Sequence, residues 1–396
     1  MSGSIGQDIV TPGAGGITVA DSATALIYGL AGVTILTIQP LVFGPLVGAG
    51  ILTESGLALL AASEMALLAL TSAMLPGWLS NGHLRTKMVG LALLMVGANF
   101  LSVSVMETDL LLPVRAVCGF AEGGILAGAA TILLSAENPE RMNALFLAVS
   151  NSVTAVIAFL VPTWLLVNYG LTASFYLMAA IGIVGLLAVL PLRFVPGPME
   201  MPGRNWRIWP AATFAVLAGV VFQNAAVMAG WTFLESTARR EGFDPGVLGL
   251  SASLGVLAQV AGAACVAMFA FRLPAGRALI LASLAISASV FWLGHPGAPL
   301  SFIAANVVMG FFWLASLPMS IKIMLEIERR REAIYLVAAA QMIGMSLGPL
   351  IASAFVSEGQ VRPAYWVALC LGLVAAGLFL IAKQSPDRIK TTHTKA

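Results

Sequence analysis

The chain has 396 residues, of which 59% are hydrophobic and only 10% are charged, with a formal net charge of +2. A globular domain in water usually carries about a quarter charged residues, so this chain has too few to cover its surface. The small net charge, with basic residues spread over loops rather than in one patch, indicates no nucleic-acid partner, and the three cysteines lack the spacing of a metal site or a disulfide framework. The composition therefore predicts an integral membrane protein in contact with the lipid bilayer, without a metal or a cofactor.

The first residues of the chain differ in composition from the rest. Residues 1–21 are rich in Gly, Ser, Thr and Pro, and they lack the basic start and apolar core of a cleavable signal peptide. We interpret them as a flexible cytoplasmic tail, so that the first apolar stretch itself directs insertion into the membrane.

Twelve apolar stretches follow this tail. A helix of about 20 residues crosses the roughly 30 Å hydrocarbon core of a bilayer, and each stretch is near that length or longer. The predicted spans are 22–46, 54–76, 87–106, 109–135, 141–167, 171–193, 208–234, 246–270, 276–294, 299–325, 332–356 and 362–383. The sequence therefore predicts an all-α integral membrane fold with twelve transmembrane helices.

The arginines and lysines set the orientation of the spans, because basic residues collect in cytoplasmic loops. With the N-terminus inside, fifteen of the twenty basic residues fall on the cytoplasmic side. Arg239, Arg240 and Arg362 fall outside, and Arg115 and Lys322 lie within spans. This distribution predicts a multi-pass protein of the cytoplasmic (inner) membrane with both termini in the cytoplasm.

A break in the apolar pattern divides the spans into six and six. Residues 194–207 contain prolines and glycines, which interrupt helices, and two arginines that hold the segment in the cytoplasm. We expect an N-terminal six-helix bundle over 22–193, a linker over 194–207, a C-terminal six-helix bundle over 208–383 and a tail over 384–396. Such an arrangement is typical of transporters with a solute path between two related bundles.

The loop between the second and third spans, residues 77–87, has a recognisable pattern of glycine, leucine and basic residues. It resembles the signature loop of the major facilitator superfamily. The matching residues are Gly77, Leu79, Arg85 and Lys87, and Asn81 stands where the family usually has aspartate. The resemblance implies a conformational latch between neighbouring helices, whose ionic part lacks its acid here. The alternative is a basic cytoplasmic turn that only sets topology.

The fourth span carries ionisable residues at membrane depth. Arg115, Gly119 and Glu122 share one helix face at 100° per residue, and Gly119 leaves room between the two charges. Arg115, Gly119 and Gly123 also resemble a second superfamily pattern, which is tied to proton transfer in many proton-coupled members. The resemblance implies that Glu122 accepts a proton and that Arg115 is its charge partner or a contact for a solute anion. The alternative is a buried pair that only orders helix packing, with both glycines permitting close contact.

Glu64 is a further carboxylate near the middle of a span. A charge at that depth costs roughly 2.5–3.5 kcal/mol on insertion scales, so it must be paired, protonated or hydrated. In the superfamily, helices one, four, seven and ten line the central path, which favours Glu122 over Glu64 as the residue that faces it. Glu64 is then an electrostatic neighbour of Glu122, with or without a role in proton coupling.

Polar and aromatic residues in other spans are candidates for solute contact, although each can equally contact a neighbouring helix. They are Gln39, Asn151, Gln223, Asn224 and Trp231. Gln223 and Asn224 are the preferred pair, because the resemblance places the seventh helix at the central path.

The eleventh span contains a glycine-proline pattern formed by Gly344, Gly348 and Pro349. In the fifth helix this pattern marks many antiporters of the superfamily, and here it occupies the symmetry-related helix. The alternative interpretation is a glycine-lined kink that permits tight helix packing.

Together these features predict a secondary active transporter that moves a small organic solute by alternating access, coupled to protons. The sequence has no Gly-x-x-x-x-Gly-Lys-Ser/Thr loop, which disfavours ATP-driven transport, and no enzyme is expected. The apolar helix faces favour efflux, whereas Arg115 favours the alternative of proton-coupled uptake of an organic anion. A transport-inactive sensor or partner-binding protein is a third alternative. The expected partners are the solute, protons and lipid, with the chain as a monomer.

Overall fold

The computed structural model describes residues 17–197, 209–269, 274–327 and 333–384, so most of the predicted tails and linker lie outside the described residues. Within these ranges, twelve helices are long and apolar enough to cross a membrane, which confirms the predicted all-α fold. The helices are α1 Val19–Gly48, α2 Glu54–Ser80, α3 Leu84–Val105, α4 Leu111–Leu133, α5 Pro139–Tyr169, α6 Thr172–Val189, α7 Ala211–Arg240, α8 Pro245–Phe269, α9 Ala275–Leu293, α10 Pro299–Ile327, α11 Tyr335–Ser353 and α12 Arg362–Gln384.

Helix α1 begins before the residue predicted from hydropathy, at Val19 rather than at residue 22. The backbone N–H of Asp21 donates to Oγ1 of Thr18 at 3.1 Å, and the N–H of Thr18 donates to Oδ2 of Asp21 at 3.2 Å. This reciprocal capping box satisfies N–H groups that a helix start leaves without partners. The predicted tail over 1–21 therefore ends earlier than its polar composition indicates.

Two helices contain local irregularities. In α5, Pro162 lies in a π-helical turn over Val161–Leu165, because proline has no N–H to continue the regular hydrogen-bond pattern. Helix α7 is interrupted at Thr232 and Phe233, and it continues beyond the predicted residue 234 as Leu234–Arg240. The hydroxyl of Tyr365 in α12 donates to the carbonyl oxygen of Phe233 at 3.3 Å and so supports this interruption.

The twelve helices form two halves with matching internal contacts, α1–α6 and α7–α12. Helix α2 packs on α4 in the N-terminal half, and α8 packs on α10 in the C-terminal half. Across the halves, α2 packs on α11 and α5 packs on α8. Helix α2 of the first half corresponds to α8 of the second, and α5 corresponds to α11. The two cross-half contacts are therefore equivalent, as expected for two related six-helix bundles.

The two halves pack together more closely at one end of the molecule. We call the end with residues 49–53 and 241–244 the closed end, and the end with residues 17 and 384 the terminal end. At the closed end, one hydrophobic core includes residues of both halves, such as Phe43 and Phe233. At the terminal end, Val216, Met319 and Phe379 belong to a separate core formed by the C-terminal half alone.

Candidate functional site

A cluster of charged side chains lies inside the N-terminal half. Arg115 of α4 forms an ion pair through Nη2 with Glu64 of α2, and its Nη1 donates to Oδ1 of Asn99 in α3 at 2.8 Å. Oε1 of Glu122, two turns further along α4, lies 3.9 Å from Nη2 of Arg115. The side chains of Arg115, Glu64 and Glu122 are fully buried. We call Glu64, Arg115 and Glu122 the buried triad.

The buried triad contains more acidic than basic groups. When both carboxyl groups are ionised, its formal charge is one negative unit, because Arg115 is the single cation among the three residues. Oε2 of Glu64 and both oxygens of Glu122 have no hydrogen-bond partner within the described residues. An uncompensated buried charge is strongly unfavourable, so this arrangement favours one added proton on the triad.

Two aromatic rings enclose the guanidinium of Arg115. Its Cζ atom lies 5.2 Å from the ring centroid of Phe43 in α1 and 5.7 Å from that of Phe175 in α6. Both distances are within the range of cation–π attraction. Because the aromatic rings, Asn99 and both carboxylates all belong to the N-terminal half, these contacts place Arg115 within that bundle.

Cys118 joins the two carboxylates in a compact set of donor atoms. Its sulfur and one oxygen each of Glu64 and Glu122 lie within 4.8 Å of one another. The fixed positive charge of Arg115 beside the same carboxylates repels a metal ion, and it already neutralises one of the two acids. The set is therefore better suited to a proton than to a divalent metal.

The glycines of α4 allow α2 to approach closely. A Cβ atom at Gly119 would collide with the backbone carbonyl of Glu64, and one at Gly123 would collide with the carbonyl of Leu68. Gly119 therefore lets the α2 backbone, and with it Glu64, come beside Arg115. The space that Gly119 leaves between Arg115 and Glu122 is therefore filled by the backbone of α2.

Gly119→Ala is expected to destabilise the protein by about 1–3 kcal/mol, because the new methyl group forces the packed α2 backbone away. Gly97→Ala in α3 is the matched control, since a Cβ there meets nothing within 4 Å. The thermal unfolding midpoints of the purified proteins in detergent measure the difference. Equal midpoints for the two variants would contradict the close packing of α2 on α4.

The polar residues predicted for a solute path lie in several different environments. Gln39 of α1 is buried and donates through Nε2 to the carbonyl of Ala61 in α2 at 3.3 Å. Asn151 of α5 is also buried. Trp231 of α7 is almost fully buried within the core that includes residues of both halves.

The preferred pair on α7 points toward two other helices of the C-terminal half. Oε1 of Gln223 accepts from the hydroxyl of Ser283 in α9 at 3.4 Å. Oδ1 of Asn224 accepts from the indole N–H of Trp313 in α10 at 2.9 Å. These bonds hold the two side chains of α7 between neighbouring helices.

The loop predicted as a latch forms a compact turn between α2 and α3. Lys87 donates through Nζ to the carbonyls of Trp78 at 2.5 Å and Asn81 at 3.2 Å. Its positive charge stabilises the C-terminal end of α2, where the helix leaves carbonyl groups without partners. Leu79 is buried, and a Cβ at Gly77 would meet nothing within 4 Å. Arg85 is exposed in the first turn of α3.

The glycine-proline pattern of α11 lies against α7. A Cβ at Gly344 would collide with the carbonyl of Val221, and one at Gly348 would collide with the carbonyl of Ala225. Pro349 lies inside α11, one residue after Gly348. This geometry corresponds to close helix packing, as the alternative interpretation of the pattern expects.

Sequence reasoning missed several residues that contact the candidate sites. Asn99 is an isolated amide in the apolar sequence of α3, and it could have been predicted as a polar contact inside the membrane domain. Phe43, Phe175 and Trp313 have no such signal, because aromatic residues are common in every membrane span. Their role depends on how each helix is rotated about its axis, which the sequence does not contain.

Comparisons with known proteins establish the fold of this chain. No family model and no curated protein matches it. A bacterial homologue of the human lysosomal transporter Spinster, in an inward-facing and unoccupied conformation, is similar in structure, with a TM-score of 0.70 and 17% identity over 95% of this chain and 100% of that chain. The nucleoside transporter NupG gives a TM-score of 0.68 and 14% identity over 92% and 98% of the two chains. At these identities the likeness shows a shared fold.

Proposed function

We propose that this chain, which has the fold of the major facilitator superfamily, is a secondary active transporter that moves a small organic solute across the cytoplasmic membrane. The structural likeness to these transporters confirms, at the level of the fold, the superfamily resemblance of the α2–α3 loop and the α4 pattern. The proposal goes beyond the fold. Its two halves have matching helix contacts and pack together at the closed end. Rocking of the two halves about a central site between them would give alternating access to that site.

Proton coupling is carried by one observation, the fully buried triad with its single excess acid. Ionisable residues inside a membrane domain are rare, and they commonly mark proton relays. In this proposal Glu122 accepts the proton and Glu64 is the charge partner of Arg115, because the guanidinium contacts Glu64 more closely than Glu122.

Export is the preferred direction, because the contacts of Arg115 weaken the argument for uptake of an organic anion. The guanidinium is already held by Glu64 and Asn99 inside the N-terminal half, which leaves it poorly placed to bind a solute anion. Uptake of an organic anion is therefore the second candidate. Such a solute would need a cation other than Arg115 in the central path.

The distribution of basic residues supports an inward-facing state. Arg85, Lys87 and Arg141 lie toward the terminal end, whereas Arg239 and Arg240 lie at the closed end. If basic loops are cytoplasmic, the closed end faces outward and the separate core of the C-terminal half lies on the cytoplasmic side. The similar Spinster homologue is also inward-facing.

A flux assay in proteoliposomes tests the proposed function. The purified chain is reconstituted, and a panel of lipophilic cations, organic anions and nucleosides is tested with and without an imposed pH gradient. Accumulation that requires the gradient supports proton-coupled transport, and the sign of the gradient distinguishes export from uptake. Absence of flux for every compound in correctly folded protein would favour the transport-inactive alternative.

The proposed orientation makes its own prediction. In a variant with all three native cysteines replaced, a cysteine at Gly297 is expected to react with an impermeant reagent added outside intact cells. A cysteine at Gly203 in the linker is expected to react only after the membrane is permeabilised. The reverse pattern would overturn the orientation.

A further inference from the structure

Glu235 is a buried carboxylate at the interface between the two halves. It lies in the first turn of the Leu234–Arg240 segment of α7 and is 7% exposed. Its cover includes α1 of the other half, since a Cβ at Gly44 would lie 2.6 Å from Oε2 of Glu235. That oxygen has no hydrogen-bond partner within the described residues.

The charged groups around Glu235 only partly compensate it. Oε1 accepts from Nε of Arg239 at 3.3 Å, but the Arg239 side chain is 39% exposed, so water screens its charge. Arg240 is paired with Glu54 at the start of α2, at 2.5 Å. The facing segment of α1 from Gln39 to Gly48 has no charged residue.

Tyr365 of α12 is a titratable group that contacts the same segment of α7 at Thr237, on the face turned away from Glu235. Its hydroxyl lies 2.6 Å from Oγ1 of Thr237, two residues after Glu235. Oε2 of Glu235 faces Gly44 of the other half and accepts no hydrogen bond from the described residues, so a proton on the carboxyl group would remove the uncompensated charge.

The position of Glu235 differs from that of the buried triad in one decisive respect. The contacts of Arg115 described above lie within the N-terminal half, so a rigid rocking of the two halves leaves them intact. Glu235 is covered by the opposite half, so separation of α1 from α7 at the closed end exposes it to water. Its access to water is therefore linked to the conformational state.

We propose that Glu235 is a second proton-binding group, which couples protonation to opening of the closed end. This inference rests on the proposed alternating-access function. When the closed end opens, the carboxyl group releases its proton to water and ionises. When it closes, Glu235 takes up one proton and fits beneath Gly44 as a neutral acid.

Spin-label distances across the closed end test this coupling. Cysteines are introduced at Ala49 and Leu300, two exposed positions in opposite halves, after Cys265 and Cys370 are replaced by serine; Cys118 is buried. In proteoliposomes of the parent, the long-distance population is expected to grow as the pH is raised from about 5 to about 9. Glu235→Gln, which mimics the protonated acid, is expected to keep the short distance and lose this shift.

Two further variants control the experiment. Glu235→Asp keeps a titratable group and is expected to retain a pH-dependent shift. Glu241→Gln removes another carboxylate at the closed end. The partner of Glu241 is Arg362, which also belongs to the C-terminal half, and both residues line a cavity of about 430 Å³. This variant is expected to shift like the parent.

The outcomes separate this inference from the proposed function. A pH-independent parent, or a Glu235→Gln variant that shifts like the parent, overturns the role of Glu235. Equal loss of the pH-dependent distance shift in Glu241→Gln also overturns the role of Glu235, because the effect would then be general to acids at the closed end. The flux assay tests proton coupling independently of the distances. A parent that accumulates solute without a proton gradient contradicts proton coupling, and the distance measurement still tests whether Glu235 controls opening of the closed end.

Discussion

Glu122→Gln is expected to reduce gradient-driven accumulation of solute to the level of protein-free vesicles, while solute exchange without a gradient continues. The amide keeps the shape of the side chain and removes the group that binds the proton. Because Arg115 pairs with Glu64, Glu122 is the excess acid of the buried triad, and its neutral form is already compatible with the fold. Paired accumulation and exchange assays in proteoliposomes measure the difference.

A matched variant separates this effect from a general loss of negative charge. Glu140→Gln removes an exposed carboxylate in the first turn of α5 and is expected to accumulate solute like the parent. If Glu122→Gln also accumulates solute like the parent, with the same pH dependence, Glu122 is not the coupling group. Glu64 then becomes the next candidate, and Glu64→Gln is tested in the same assays.

The twelve-helix fold was predictable from the sequence because the bilayer imposes it. Each span must be long and apolar enough to cross the hydrocarbon, so hydropathy alone locates the helices. Local chemistry corrected the boundaries. Thr18 and Asp21 start α1 early through a capping box, and the polar residues at the end of α7, including Arg239, hid its extension past residue 234.

The buried triad was predictable only in part. Helical periodicity places Arg115 and Glu122 on one face of α4, and the structure puts their charged atoms 3.9 Å apart. The closer partner is Glu64, on a helix whose rotation and distance the sequence does not specify. Gly119 was a visible sign of close packing, but only the structure shows that α2 is the helix in contact with it.

Arg115→Lys is expected to lower the transport rate by roughly tenfold or more while membrane expression stays near that of the parent. Lysine keeps the charge but lacks the planar fork that reaches Glu64 and Asn99 together. Hydrogen bonds to charged groups contribute about 1.5–3 kcal/mol, which is enough for a rate change of that size. The measurement is initial flux divided by the amount of folded protein in the vesicles.

A stability measurement distinguishes a transport role of Arg115 from a packing role. Arg115→Met leaves Glu64 buried without its cation and is expected to destabilise the protein by about 3–5 kcal/mol. The double variant Arg115→Met with Glu64→Met removes both members of the pair and is expected to regain most of that stability, because Glu64 no longer lacks its cation and Glu122 stays neutral. If the double variant also regains proton-driven transport, the pair only orders packing. If stability returns while coupling does not, the charges of Arg115 and Glu64 act in transport itself.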